Sequence, residues 1–132
     1  MADQNKIIHK DLSYKIVGVA FRSFKATGYG MPEKYCQGVF AAELEKAGLH
    51  FNREVYVTLN YEGKVITKYF LDFIVEDSVV VELKVRPKIG YAHIEQVMAY
   101  LKATNKKLAI LIYFTQEGVK YRRIVNSYNK LQ

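Results

Sequence analysis

The chain has 132 residues, half of them hydrophobic and a quarter charged, and its 20 Lys and Arg outnumber its 13 Asp and Glu by seven. That length and mixture suit one domain over 1–132, an ordinary globular composition with enough apolar material for one core. The positive balance favours anionic partners, nucleic acid first. The one cysteine, Cys36, excludes an intrachain disulfide and a cysteine-based zinc site.

The opening stretch, MADQNKIIHKD, lacks the apolar core of a secretory signal, and no apolar run approaches the roughly 18 residues of a membrane span. A single cysteine also fits a reducing compartment, so the cytoplasm is the expected location. Residues 9–26 read as a first helix, because Leu12, Ile16, Ala20 and Phe24 recur every four residues with Val17 and Phe21 beside them. TGYG at 27–30 stops it. Pro32 suits the first turn of a second helix running to about Ala47, with Gly48 as its terminator.

Sheet signals follow. FNREVYVTLNY (51–61), KVITKYFLDFIV (64–75) and VVVELKV (79–85) read as three strands, the first two joined by the turn Glu62-Gly63. RPKIG (86–90) breaks the pattern. A third helix over 91–104 carries Ile94, Val97, Met98 and Leu101 as its apolar stripe. KLAILIYF (107–114) is apolar almost throughout, as a strand covered on both faces should be. The tail from 119 suits a short strand or helix followed by fraying. The order is ααβββαβ, and the helix between strands three and four makes those two parallel if they share a sheet. The fold class is therefore α/β (mixed α+β), a mixed sheet flanked by helices.

The hairpin LDFIVEDSVVVELKV (71–85) holds three ionisable residues, Asp72, Glu82 and Lys84, in an otherwise apolar run. Ionisable groups are costly to bury without partners. Side chains alternate along a strand, so Glu82 and Lys84 share a face with Val80. A three-residue loop, Glu76-Asp77-Ser78, pairs Val75 with Val79 and sets Asp72 opposite Glu82, with Cβ atoms about 5 Å apart. A two-residue loop sends Asp72 to the other face; the odd-length loop is the expectation taken here. Two carboxylates that close repel unless a proton or cation lies between them. Hard oxygen ligands select Mg²⁺ or Mn²⁺, and Lys84 beside such an ion can stabilise charge building on a phosphate. From spacing alone an ion pair at the sheet margin fits the same residues equally well.

Asp72, nine residues, then Glu82-Leu83-Lys84 resembles the D-x(n)-E-x-K core of the PD-(D/E)XK nuclease superfamily. With GYGMPEKYCQGVFAAELEKAGL before it and HIEQVMAYLKAT after it, nearly the whole chain resembles the small bacterial GxxExxY proteins. The resemblance implies a restriction-endonuclease-like core and metal-dependent cleavage of nucleic acid. It implies Asp72 and Glu82 as metal ligands, Lys84 as the catalytic lysine, Glu33 as the helix glutamate reaching the metal, and Gln96 as the glutamine of the following helix. Leu71 stands where the superfamily has Pro. Cys36 stands where the naming motif has Tyr, with Tyr35 one residue early. Nucleases of this fold often pair to cut duplexes, so a homodimer is allowed, although no residue here identifies an interface.

Read by themselves, Glu33 lies within roughly 60° of Cys36, Phe40 and Leu44 on its helix, and its structural alternative is a helix-dipole glutamate behind Pro32. His93, Gln96 and Tyr100 share one flank of the third helix. Gln96 there can hold a water or a phosphate oxygen and Tyr100 can contact a base or phosphate, while a plain polar flank is the alternative, preferred for His93 and Tyr100. Arg86 and Lys88 follow the E-x-K strand closely. Lys102, Lys106 and Lys107, and then Lys120, Arg122 and Arg123, form two further basic groups able to meet phosphates, with a solvated surface as the alternative for each. Cys36 reads as a core residue. Two rivals accompany the nuclease: a catalytically silent nucleic-acid or protein binding module on the same fold, and a structural protein whose hairpin acids are salt-bridged to Lys84.

Overall fold

The computed structural model describes residues 7–90 and 92–127. Its elements are α1 (Lys10–Thr27), α2 (Glu33–Lys46), β1 (Phe51–Tyr61), β2 (Lys64–Val75), β3 (Val79–Val85), α3 (Ala92–Thr104), β4 (Leu108–Thr115) and β5 (Gly118–Val125). The three hairpin strands begin and end where their alternation and turn residues place them. Tyr91, expected to open the third helix, and the fraying tail at 128–132 lie outside the described residues. The open alternative for the tail resolves into a strand: β5 pairs antiparallel with β4 from Leu108–Val125 to Thr115–Gly118. The order is thus ααβββαββ.

The five strands lie in one sheet in the order β1-β2-β3-β4-β5. β3 and β4 are parallel and every other pair is antiparallel. α3 is the crossover that the parallel pair requires. Helices cover both faces. On one side α1 and α2 bury Ile16, Val19, Ala20, Phe40 and Leu44 against Val79, Val81 and Leu83 of β3 and alternate residues of β4 (Leu108, Ile110, Ile112, Phe114). On the other side α3 buries Val97, Tyr100 and Leu101 against Val80, Ala109, Leu111 and Tyr113. Every residue of β4 is buried, which is why its sequence lacks the polar alternation of a half-exposed strand. Among the described residues no helix is long and apolar enough to cross a membrane.

Three local devices hold the part of this frame that matters for function. First, α2 ends where Gly48 adopts φ 74°. The amide of Gly48 donates to the Glu45 carbonyl and that of Leu49 to the Leu44 carbonyl, each at 3.0 Å, and the chain turns straight into β1. This pattern requires a left-handed residue, which glycine supplies without a Cβ clash. Second, the β2–β3 loop is Glu76-Asp77-Ser78, and Val75 pairs with Val79. Lys106 at the end of α3 reaches the Asp77 carbonyl at 2.8 Å and its carboxylate at 3.2 Å, so the odd-length loop is clamped from outside.

The third device is a break in the ladder at Asp72. β2 and β3 pair through Phe73–Val81 and no further. On the other side β1 and β2 pair at Arg53–Phe73 and again at Val55–Leu71, skipping Glu54 opposite Asp72. Glu54 sits at φ 49°. Strict alternation fails at the same place: Phe73 joins the α1/α2 layer, whereas Leu71 and Ile74 both join the α3 layer. Asp72 therefore stands at a twist where neither neighbouring strand holds it in a regular ladder.

Phe73 anchors β2 next to that break. It is fully buried, edge-on to Phe40 of α2 with ring centroids 5.0 Å apart and to Phe51 at 5.9 Å. Phe73→Ala should destabilise the protein by about 3–5 kcal/mol, read as a lower denaturant midpoint with unchanged slope. A loss under about 1 kcal/mol would mean that α2 is not held to β2 through this ring.

Candidate functional site

Where the β2–β3 ladder stops, side chains replace it. The Asp72 amide donates to Oε2 of Glu82 at 2.6 Å, and the Leu83 amide donates to Oδ2 of Asp72 at 2.9 Å. Each acid thus holds the backbone of the strand that carries the other; the odd-length loop pairs Val75 with Val79 as expected, and Asp72 and Glu82 meet just beyond the end of that ladder. One position further along, β3 turns its next outward amide, that of Val85, to Glu33: the bond to Oε1 is 3.0 Å. The Leu83 carbonyl on the same edge accepts from Nε2 of Gln37 at 3.2 Å. Glu33 and Gln37 are one helical turn apart on α2, so a single helix face seals the edge that β2 has left.

Lys84 lies two residues after Glu82 on the same face, its Nζ 4.0 Å from Oε1 of Glu82, and its side chain is mostly buried. Arg86 donates to Glu33 Oε1 at 3.1 Å and to the Val85 carbonyl at 2.9 Å. Five charged groups, Glu33 of α2, Asp72 of β2, Glu82 and Lys84 of β3 and Arg86 just after it, are thereby gathered on a few residues of backbone. Among the described residues, Oδ1 of Asp72 and Oε1 of Glu82 receive no backbone hydrogen bond.

The electrostatics are those of a site short of positive charge. Glu82 is 2% exposed; burial first, then the Asp72 charge, push its carboxyl up to about 8, against the opposing pull of the Asp72 amide and Lys84. Asp72 is also raised, again by burial first, with Glu33 adding and the Leu83 amide, Lys84 and Arg53 opposing. On α3, burial and then the charges of Lys84 and Arg86 lower His93. Burial, followed by Glu82 and Asp72, raises the Tyr100 hydroxyl. Both side chains therefore look onto the same charges as the hairpin.

α3 is fixed over the site by Tyr113 of β4, which pairs with Lys84 in the parallel ladder. Its hydroxyl meets the Gly90 amide at 3.3 Å, the Gly90 carbonyl at 3.2 Å and Nδ1 of His93 at 2.5 Å. Burial raises the Tyr113 hydroxyl, keeping it neutral. Gln96 lies between His93 and Tyr100 on that flank of α3 and is exposed. Tyr100 is 4% exposed and packs edge-on to Tyr69 at 4.9 Å, so its ring belongs to the wall of the site and does not offer an open stacking face. Sequence reading passed over Gln37 and Tyr113 and set His93 aside. The signals were there: Gln37 follows Glu33 at i+4, and Tyr113 is the one hydroxyl in KLAILIYF.

Among the remaining basic residues, Lys88 and Lys102 are exposed. Lys106 is committed to Asp77, and Lys120 lies 3.7 Å from Glu117. Arg123 ties β5 to the start of α1 through the Ile8 carbonyl and the Ser13 hydroxyl. Cys36 is fully buried, and burial raises its thiol.

Among the described residues no three Asp, Glu, His or Cys side chains form a metal-holding group. Glu33 is engaged by Val85 and Arg86 and stands beside the Asp72–Glu82 pair, not within it. The pair by itself still suits Mg²⁺ or Mn²⁺: hard oxygens, carboxyls raised first by burial and, for Glu82, also by the Asp72 charge, and one oxygen on each without a backbone donor among the described residues. Such ions take one or two carboxylates and fill the remaining positions with water and substrate phosphate.

The solved structures similar to this one include an alkaline exonuclease from Laribacter hongkongensis, at 11% identity and TM-score 0.52, with 69% of this chain and 54% of that one covered. A second is the protein SSO0001, at 23% identity and TM-score 0.52, with 67% and 46% covered. The chain spans about half the length of each, and the likeness is one of fold. No curated protein matches the chain. The sequence profile of the PD-(D/E)XK nuclease superfamily matches residues 10–124, α1 through β5. With the D-x(n)-E-x-K residues gathered at the β2–β3 break, the conclusion is direct: the chain belongs to the PD-(D/E)XK nuclease superfamily.

Proposed function

We propose that the chain is a divalent-metal-dependent nuclease that hydrolyses phosphodiester bonds of DNA or RNA at the β2–β3 break. The observation that carries this reading is the reciprocal hold of Asp72 and Glu82 on each other's strands, with Lys84 on the same face. Asp72 and Glu82 are the metal ligands. A Mg²⁺ or Mn²⁺ ion bound there would polarise the scissile phosphate and acidify a water. Lys84 offsets the negative charge that builds on the phosphate as it is attacked. Gln96 orients a water or a phosphate oxygen from α3. Glu33 sets the β3 edge and holds Arg86, which with Lys88 receives flanking phosphates; Lys102 extends that track along α3. The GYGMPE stretch that leads into Glu33 supports placing the chain among the GxxExxY proteins of the superfamily.

One observation favours a second reading. Each carboxylate already accepts a backbone amide, so the pair has structural partners without a cation, as a silent binding module on this fold would require. Cleavage separates the two. Asp72→Asn keeps an acceptor for the Leu83 amide but removes the charge, and Lys84→Ala removes the ammonium. Each should lower Mg²⁺- or Mn²⁺-dependent cleavage of DNA or RNA at least about a hundredfold, with circular dichroism unchanged. Equal activity in both variants and wild type would assign the cleavage to another site or to a contaminant.

The raised Glu82 carboxyl gives a pH test that does not need turnover. The unfolded chain releases the Glu82 proton near the ordinary value of 4.5, whereas the folded protein holds it to about 8. Across that interval the folded state binds the extra proton, so its stability falls as pH rises. The thermal midpoint of the metal-free protein should fall between pH 5 and 8. Glu82→Gln should flatten that fall and raise the midpoint at pH 8 by roughly 5 °C. Mg²⁺ or Mn²⁺ should stabilise the wild type most at pH 8, and Glu82→Gln much less. The same pH slope in wild type and variant would show that Glu82 is ionised in the fold throughout.

A further inference from the structure

A groove of about 740 Å³ runs along the outer side of α1 beside β5. It shares no residue with the acid site. Tyr14, Gly18 and Phe21 line it at helical spacing, with Tyr121 of β5 across from them. Tyr14 is 82% exposed, Phe21 51% and Tyr121 44%, so three aromatic rings meet solvent where the core has no use for them. The charged lining is Lys10, Lys15, Arg22 and Arg123 against Asp11. Arg22 shares its charge with Glu43 at 3.7 Å, and Arg123 is anchored to Ser13 and to the Ile8 carbonyl. Lys10 and Lys15 enter no ion pair among the described residues.

Gly18 is the informative residue. Glycine is unfavourable inside a helix, and its backbone here has no positive φ to require it. A Cβ at this position would meet only the tip of the Arg22 side chain, at 3.4 Å. Core packing therefore does not demand the glycine, and its effect is to keep the groove floor open between Tyr14 and Phe21.

We propose that this groove is a second nucleic-acid contact, seating a single-stranded segment with bases against Tyr14, Phe21 and Tyr121 and phosphates against Lys10 and Lys15. It rests on the reading of nucleic acid as the substrate, and adds where a strand is gripped away from the acids. With Arg22 offset by Glu43, three cations, Lys10, Lys15 and Arg123, still face the one acid Asp11, and that excess calls for an anionic occupant. A second copy of the chain would bring the same positive lining against itself. Exposed rings interleaved with cations suit unstacked bases, which duplex DNA does not offer and a single strand does.

Fluorescence anisotropy with a labelled oligo(dT) strand and a duplex of equal length, in EDTA so that nothing is cleaved, tests the groove apart from the acids. Gly18→Leu fills the floor with a better helix former, and Lys15→Glu reverses one rim charge. Each should weaken single-strand binding at least about fivefold, and Lys15→Glu should also make it less sensitive to salt. Unchanged affinity in both variants overturns the proposal. So does a wild-type preference for the duplex, absence of single-strand binding, or a change in oligomeric state in place of affinity, which would give the groove to a second copy. Absence of cleavage together with groove-dependent binding would refute the nuclease reading and leave the groove standing. Metal-dependent cleavage with the groove variants binding normally would do the reverse.

Discussion

The exchange between Asp72 and Glu82 is the constraint on which the rest of the molecule turns. A sheet is held by backbone amides meeting backbone carbonyls, and a ladder that stops inside a protein leaves polar groups that must find partners. Here the partners are the carboxylates themselves. Because each acid takes the amide of the opposite strand, two carboxyl groups sit together at the point where the backbone opens. The opening and the acids are one feature: regular pairing through residue 72 would leave the Asp72 and Leu83 amides no need of a side-chain acceptor.

Several other contacts follow from that opening. β3 continues past the break with an unpaired edge, and α2 covers it through Glu33 and Gln37. Glu54 takes a left-handed conformation on the strand opposite Asp72, and this is where β2 changes which layer its side chains join. On the far face Tyr113 pins the entry to α3, which brings the His93–Tyr100 flank over Glu82 and Lys84. A carboxylate pair this enclosed is costly in water-poor surroundings, and the raised Asp72 and Glu82 carboxyls express that cost. It is tolerated because the surrounding layers, with β4 buried along its whole length, hold the strands in place independently of the acids.

Much of the frame was legible in residue order. The three hairpin strands, the crossover helix and the two-sided burial of β4 come from alternation, turn residues and unbroken apolar runs, which are local signals. The odd length of Glu76-Asp77-Ser78 was enough to pair Val75 with Val79 and set the register as far as Phe73–Val81; beyond that the ladder break, not parity, closes Asp72 on Glu82. β5 was the weak case: VKYRRIV mixes charge and apolar residues without a clean period, and only its pairing with β4 settles it as a strand. Among the basic residues, sequence could not separate structural ties from free surface. Lys106 and Arg123 look like their neighbours until their partners, Asp77 and the start of α1, are seen across 29 and 110 or more positions of chain.

What the sequence alone determined is the class of fold and the register of the central hairpin, which rest on period and spacing within short stretches; it offered the acid–acid–lysine trio as a candidate. The tertiary structure decided how those residues are held: the ladder break at Asp72, Glu33 turned to Val85 and Arg86, Gln37 and Tyr113 as supports, and Tyr100 closed into the wall. These depend on which backbone groups are left without partners when sheets and helices meet. That is a property of the assembled layers, and no local pattern in the chain encodes it.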